Sequence, residues 1–136
     1  MPDVTLETAR RILTAAEEEA AEIGVPMCVA VVDRGANLVG FHRMDGALLA
    51  SVDIAQNKAY SAASLQLSTA ELSEVAQPGE SLYGIHVTNG GRIVVFGGGV
   101  PLRDGDEVVG AVGVSGGSVD EDVTVARAGV DAFDAA

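Results

Sequence analysis

The spacing of apolar and polar residues predicts four helices, of which the first is the most regular. From Leu6 to Ile23 the apolar residues recur at steps of three and four, while three glutamates of this segment fall on the opposite side. Gly24 and Pro26 follow in the order that commonly ends a helix. The segment is therefore predicted to be an amphipathic helix that packs one apolar stripe against a core.

The other predicted helices are marked by small residues and by capping patterns. Residues 50–66 contain repeated alanine and serine, which allow a helix to approach a sheet or another helix closely. Ser68–Glu71 is a capping box and predicts a short helix that ends at Pro78. Ser118–Glu121 is a second capping box and predicts a final helix with its own apolar stripe.

Strands are predicted where apolar and β-branched residues form short runs between turn residues. Five segments meet this description: Met27–Val32, Leu38–Arg43, Leu82–Val87, Arg92–Phe96 and Glu107–Ser115. Asp33–Asn37 has the composition of a hairpin turn between the first two. Because most of these segments are joined by tight turns, the sheet is predicted to be mainly antiparallel.

The predicted order of elements is α-β-β-α-α-β-β-β-α, which indicates an α+β protein. Helices at both ends and in the middle of the chain can cover both faces of one sheet. We therefore predict a three-layer α/β/α sandwich around a five-stranded, mainly antiparallel sheet. A length of 136 residues suits a single domain over residues 1–136.

Composition restricts the partners of this domain. Eight basic and 20 acidic residues give a net charge of −12, which argues against nucleic acid or anionic lipid as a partner. The single cysteine, Cys28, cannot form an internal disulfide, and no signal segment is recognisable, so we expect a cytoplasmic protein. Strong acidity with a single lysine suggests a host with a high-salt cytoplasm.

Two cationic positions are candidates for ligand binding. Arg43–Ala47 connects the second predicted strand to the second predicted helix. The guanidinium of Arg43 is suited to binding the carboxylate of a ligand, although an internal ion pair between Arg43 and Asp45 would explain the same residues. Lys58, the only lysine, lies on a helix of small residues. Its ammonium could meet an anion or an interface partner, or it could simply form a salt bridge.

The glycines and histidines offer further, weaker signals. Gly97–Pro101 lacks the pattern of a phosphate-binding loop and indicates a bulge or a close approach of the backbone. Gly113 lies on a strand face that leaves room for a bulky neighbour or a ligand. His42 and His86 have no metal-site spacing, and each is a candidate axial haem ligand or an ordinary hydrogen-bonded histidine.

Several blocks together resemble the GlcG/HbpS family of haem-binding proteins, to which the C-terminal domain of PduO-type cobalamin adenosyltransferases is similar. The blocks are Gly24–Pro26, Val29–Asp33, Phe41–Ala47, Lys58–Tyr60, Thr88–Gly91, Gly97–Leu102 and Val109–Gly117. The resemblance covers nearly the whole chain. It implies a profilin-like (GlcG-like) fold and a homo-oligomer, often a tetramer or an octamer.

The resemblance also implies a function. Family members bind or degrade haem, accompany glycolate metabolism or are fused to corrinoid enzymes, and some ligate haem through a histidine on the first helix, where this chain has none. The first hypothesis is therefore a small-ligand protein that binds haem or a related tetrapyrrole. The candidate ligand-binding residues are Arg43, Met44, Asp45, Lys58, Thr88 and Arg92, and the candidate iron ligands are His42 and His86.

Two alternatives remain open at this point. The chain could be an enzyme or accessory protein that acts on a small hydroxy acid or a corrinoid. Arg43 would then bind a carboxylate and Lys58 would bind or polarise the substrate, with an acid or base close by: Asp33, Asp45 or Asp53. It could also be a structural oligomer whose small-residue helix is an interface.

Overall fold

The computed structural model describes residues 3–135 and contains four helices, four strands and two short 3₁₀ turns. In chain order these are α1 (Leu6–Glu22), β1 (Cys28–Asp33), β2 (Leu38–Arg43), α2 (Ala50–Leu65), α3 (Thr69–Val75), the 3₁₀ turns Ile85–Val87 and Asn89–Gly91, β3 (Gly99–Asp104), β4 (Glu107–Ser115) and α4 (Val119–Asp134). Both predicted capping boxes are confirmed, at the starts of α3 and α4.

The four strands form one antiparallel sheet in the order β2-β1-β4-β3. In the central pair, Cys28 lies opposite Ser115 and Asp33 lies opposite Gly110. Side chains of β1 alternate between the two faces. Val29 and Val31 belong to the core with α1 and α4, whereas Ala30 belongs to the smaller core with α2.

Helix α2 lies unusually close to the sheet. A Cβ atom added to Gly113 would overlap the carbonyl oxygen of Ala55 and the amide nitrogen of Ala59. The room that Gly113 leaves on β4 is therefore filled by the backbone of α2 and not by a ligand. This contact completes the predicted three layers, with α2 on one side of the sheet and α1 and α4 on the other.

The sheet of the described residues has four strands, and the prediction of five is corrected in the region 82–104. Leu82–Val87 forms turns, in which the N–H of Ile85 donates to the carbonyl of Leu82. Arg92–Phe96 is also not a strand, because the N–H of Val94 donates to the hydroxyl of Ser61 on α2, at 2.9 Å. Its β-branched residues pack against a helix and pair with no neighbouring strand.

Strand β3, in contrast, was not predicted, because its glycines and Pro101 suggest a loop. The strand lies at the edge of the sheet, where a proline that cannot donate a hydrogen bond is tolerated. Gly98 and Gly99 provide the predicted close approach, since a Cβ on either residue would collide with Lys58. None of the helices in residues 3–135 is long and apolar enough to cross a membrane.

Candidate functional site

A groove of about 410 Å³ lies between α2 and the irregular segment that precedes β3. Its lining is mainly apolar, with a few polar side chains: Asp53, Ile54, Asn57, His86, Gly91, Ile93, Val94, Val95 and Phe96. We call this the α2 groove. An apolar concave surface with a small number of polar groups is the usual form of a small-molecule site.

A polar stripe on α2 fixes the segment that forms the other wall of the groove. Asp53, Asn57 and Ser61 follow one another at steps of four residues, so they lie on one face of the helix. The buried hydroxyl of Ser61 accepts the N–H of Val94 and lies 3.1 Å from the carbonyl oxygen of Arg92. The hydroxyl proton has a nearer acceptor in the carbonyl of Asn57, at 2.7 Å, so the tie between α2 and this segment is the N–H of Val94.

Arg92 lies beside the groove with its guanidinium stacked on an aromatic ring. The central carbon of the guanidinium is 3.6 Å from the ring centroid of Tyr60. Its Nε donates to Oδ1 of Asn57 at 3.4 Å, and the amide nitrogen of Asn57 donates to Asp53. The Tyr60 hydroxyl accepts a hydrogen bond from the side chain of Asn89 at 3.0 Å.

The predicted residues His86 and Thr88 belong to the same segment but differ in what they contact. His86 lines the groove, is exposed, and meets Tyr83 edge to face with the ring centroids 6.0 Å apart. The hydroxyl of Thr88 donates to the carbonyl of Ile85, so it stabilises the turn. Thr88 is not among the residues that line the groove.

Arg43, Met44 and Asp45 line a second, more polar groove, also of about 410 Å³, together with Glu17. The guanidinium of Arg43 has no ion-pair partner among residues 3–135. His42 lies next to this groove, with its Nδ1 2.8 Å from Oε1 of Glu17. The two grooves share no lining residue.

Lys58 lies in neither groove, which corrects the expectation that it contacts a ligand. Its side chain is 0% exposed, and its Nζ donates to Oδ2 of Asp122 at 2.8 Å and to the carbonyl of Val114 at 2.9 Å. The ring of Phe96 covers the ammonium, with 5.0 Å between Nζ and the ring centroid. Burial of a lone ammonium requires such a partner.

Burial governs the ionisation of this pair. It lowers the pKa of Lys58, and the contact with Asp122 opposes that shift. Burial likewise raises the pKa of Asp122, against the hydrogen bonds from Lys58 and Gly117. The pair joins α2 to the first turn of α4 beside Val114 of the inner strand β4, so its geometry indicates a structural role.

The site includes residues that sequence reasoning did not select: Ile54, Asn57, Tyr60, Ile93 and Phe96. Polar residues recur every fourth position along α2, and this spacing was a signal for Asn57. No pattern near Tyr60 in the sequence indicated that its ring contacts Arg92, 32 positions later. Within residues 3–135, no cluster of three His, Cys, Asp or Glu side chains is arranged to hold a metal ion.

Comparison with known proteins gives a consistent set of relatives. A family model described as haem degrading protein HbpS-like matches residues 4–131. The chain is 47% identical over 130 residues to an uncharacterised 15.0 kDa protein from the dhaT-dhaS intergenic region of Citrobacter freundii, covering 96% of this chain and 92% of that protein. It is 40% identical over 124 residues to the corrinoid adenosyltransferase PduO of Salmonella typhimurium, covering 90% of this chain but 37% of PduO.

Solved structures with the same fold include two close matches. Protein ORFY of Klebsiella pneumoniae superposes with a TM-score of 0.97 at 46% identity, covering 100% of this chain and 94% of ORFY. A PduOC:heme complex superposes with a TM-score of 0.93 at 36% identity, covering 96% of this chain and 95% of that one.

Proposed function

Because this chain belongs to the HbpS-like family, we propose that it binds haem, or a related tetrapyrrole, in the α2 groove. The observation that carries the proposal is the combination in one groove of an apolar lining, a histidine and an adjacent arginine. The relative crystallised as a PduOC:heme complex supports the choice of ligand.

The residues of the α2 groove fit the chemistry of haem. The macrocycle needs apolar contacts, which the partly exposed side chains of Ile54, Val95 and Phe96 offer. The propionates need a cation, and Arg92 lies beside Asn57 at the edge of the lining. Bound haem would supply an iron centre for redox chemistry or for binding a small ligand. In this proposal the chain itself buries the ring, neutralises its carboxylates and excludes water.

His86 is the candidate axial ligand in this groove. Its exposed ring makes no hydrogen bond within residues 3–135, so both ring nitrogens are free of protein partners there. His42 is the second candidate. The neighbouring groove of His42 is more polar and contains two carboxylates, those of Glu17 and Asp45, against the one of Asp53 in the α2 groove, so it fits haem less well.

Haemin titration tests the proposal. The wild-type protein is expected to give a saturable Soret shift, and His86→Ala is expected to change the position of the band because the iron loses a ligand. His42→Ala is the matched control. A band that responds to His42→Ala and not to His86→Ala would move the site to the second groove. The absence of any saturable shift in the wild type would refute haem binding.

A second candidate function rests on the groove that contains Arg43. The guanidinium of Arg43, which has no ion-pair partner in the described part of the chain, suits the carboxylate of a small hydroxy acid, and Asp45 and Glu17 line the same groove and could transfer a proton. Glycolate would then raise the melting temperature of the wild type and not of Arg43→Gln. Cobalamin belongs in the same screen, because PduO is a relative, although this chain spans 37% of PduO.

We further propose that the protein assembles as a homo-oligomer of this single domain. Leu48 and Leu49, at the start of α2, are exposed to 64% and 79%, which is costly for neighbouring leucines in water. Native mass spectrometry is expected to give a tetramer or an octamer. Leu49→Glu should shift the population towards the monomer, whereas Glu18→Gln on α1 serves as a surface control.

A further inference from the structure

We propose that Tyr60 is a positioning residue, which holds the Arg92 guanidinium at the edge of the α2 groove so that the groove selects tetrapyrroles with free carboxylates. The inference rests on the proposed function and specifies what that site distinguishes. It assigns roles to Tyr60, Asn57 and Asn89, whose side chains form one connected set with Arg92.

The first step is the geometry of the guanidinium. The central carbon of the Arg92 guanidinium lies over the Tyr60 ring, 3.6 Å from the ring centroid, which is well within the distance of a cation–π contact. The hydrogen bond from Nε to Asn57 Oδ1, at 3.4 Å, adds a second restraint on the same side chain. Only Nε of Arg92 donates to another residue. The four N–H groups on the two terminal nitrogens have no acceptor among residues 3–135 and remain available to a ligand.

The second step is that both restraints are themselves held in place. Asn57 cannot rotate freely, since its amide nitrogen donates to Asp53 one helical turn earlier at 2.9 Å. Tyr60 is held by Asn89, whose backbone has a positive φ of 52°. The hydroxyl of Ser61 accepts the N–H of Val94, so the segment that carries Arg92 is tied to the same helix two residues further on. The guanidinium is thus fixed from its backbone and from its side chain.

The third step is energetic. An arginine side chain that is mobile in water loses rotamer entropy when a ligand immobilises it. Stacking on Tyr60 removes part of that loss before the ligand arrives, which is preorganisation. The chain carries a net charge of −12, so an anionic ligand is repelled overall and depends on a fixed local cation. A planar guanidinium with free terminal nitrogens matches a carboxylate in two-point geometry.

The experiment compares haemin with haemin dimethyl ester, whose propionates are blocked, both added from the same organic cosolvent. The wild type is expected to bind haemin more tightly. Arg92→Gln should weaken haemin binding about tenfold, the size typical of a charged hydrogen bond, and should leave the ester unaffected. Tyr60→Leu should weaken haemin binding about two- to fivefold, the range of an exposed cation–π contact, while Tyr60→Phe keeps the ring and the preference.

Two further variants separate positioning from simple structural effects. Arg103→Gln removes an exposed arginine that donates to the carbonyl of Gln66 and gives the same change in net charge. It should not alter the preference for haemin. Adding Tyr60→Leu to Arg92→Gln should have no further effect, because Tyr60 acts through Arg92.

Each outcome has a distinct meaning. Equal binding of haemin and its ester by the wild type would overturn the inference and leave haem binding intact. A loss of both ligands in Tyr60→Leu would assign Tyr60 a structural role and would also overturn the inference. The absence of binding by either ligand would refute the proposed function and this selectivity with it.

Discussion

Replacing Lys58 with methionine removes half of the buried ion pair between α2 and α4. The side chains of Lys58 and Asp122 are 0% and 4% exposed, so solvent cannot compensate the carboxylate that remains. Methionine fills the space of the lysine stem without its charge. We therefore expect the variant to fold, but with a large loss of free energy of unfolding.

The magnitude follows from the groups that remain around each partner. Breaking a buried pair generally costs about 3–5 kcal/mol. In Lys58→Met, Asp122 keeps the N–H of Gly117 at 2.9 Å and lies in the first turn of α4, where the helix dipole favours an anion, so we expect about 3 kcal/mol.

The reverse variant, Asp122→Leu, should be more severe. It leaves Lys58 with only the carbonyl of Val114 and the ring of Phe96, and we expect about 4–5 kcal/mol. The loss cannot exceed this value by much, because Lys58 would then release its proton and become neutral. Releasing the proton of a lysine with an ordinary pKa costs about 5 kcal/mol at neutral pH.

The pH dependence distinguishes this cause from a packing defect. In Lys58→Met the folded state raises the pKa of the unpaired Asp122 further above its ordinary 3.8. Between that ordinary value and the raised one, the folded state binds more protons than the unfolded state. Stability of the variant, relative to the wild type, therefore rises as the pH falls, by up to about 1.4 kcal/mol per pH unit.

Urea denaturation followed by far-UV circular dichroism measures these differences, since the chain has no tryptophan for fluorescence. The double variant Lys58→Met/Asp122→Leu should recover most of the loss, because it leaves no uncompensated charge. A loss below about 1 kcal/mol in Lys58→Met, or a loss that stays the same between neutral pH and a pH just above the ordinary 3.8 of an aspartate, would refute the reasoning.

Three other predictions test the packing, the caps and the surface charge. Gly113→Ala should destabilise the protein by about 2–3 kcal/mol in the same urea assay, because the new methyl group overlaps the backbone of α2 at Ala55 and Ala59. Hydrogen bonds from the Ser68 backbone and hydroxyl lower the pKa of Glu71 below 4.5, so their stabilisation is present above that pH and is lost as the pH falls through the lowered value. Glu71→Gln should flatten this part of an acid-denaturation curve, and an unchanged curve would contradict it. Raising KCl from low to molar concentration should increase the melting temperature by screening a net charge of −12, and a flat response would remove the case for a high-salt host.

Much of the fold follows from local patterns in the sequence. The helix from Leu6, the hairpin from Cys28 to Arg43 and the last strand from Glu107 are correctly predicted, because each has a clear period and a clear boundary. Both capping boxes are also found where Ser68 and Ser118 predict them. These features depend on contacts between residues that are near in the chain.

The errors concern segments whose structure depends on distant partners. Arg92–Phe96 has the composition of a strand, but its N–H at Val94 is taken by Ser61, 33 residues earlier. Gly99–Asp104 has the composition of a loop and becomes an edge strand because β4 pairs with it. Local propensity is weak enough for such tertiary contacts to reverse it.

The sequence indicated candidate residues one at a time and gave no information on which of them lie together. His86 and Arg92 lie around one groove and Arg43–Asp45 around another, a division that no local pattern indicates. The interior position of Lys58 depends on Asp122, 64 residues away. A single lysine in an acidic chain signals an unusual environment, but only the fold shows that the environment is an internal carboxylate.

The contact between Gly113 and α2 has a consequence for how this protein could change its ligand. Helix α2 packs directly on the backbone of β4 at Gly113. The distance between α2 and the sheet, and with it the position of the outer side chains of Asp53, Asn57 and Tyr60, therefore depends on a glycine on the other side of the helix. A larger side chain at position 113 would push α2 away from the sheet as a unit. The width of the groove would change, while the side chains that line it would stay the same. Evolution or an engineer could therefore resize the binding surface by one hidden substitution, provided that stability elsewhere offsets the strain.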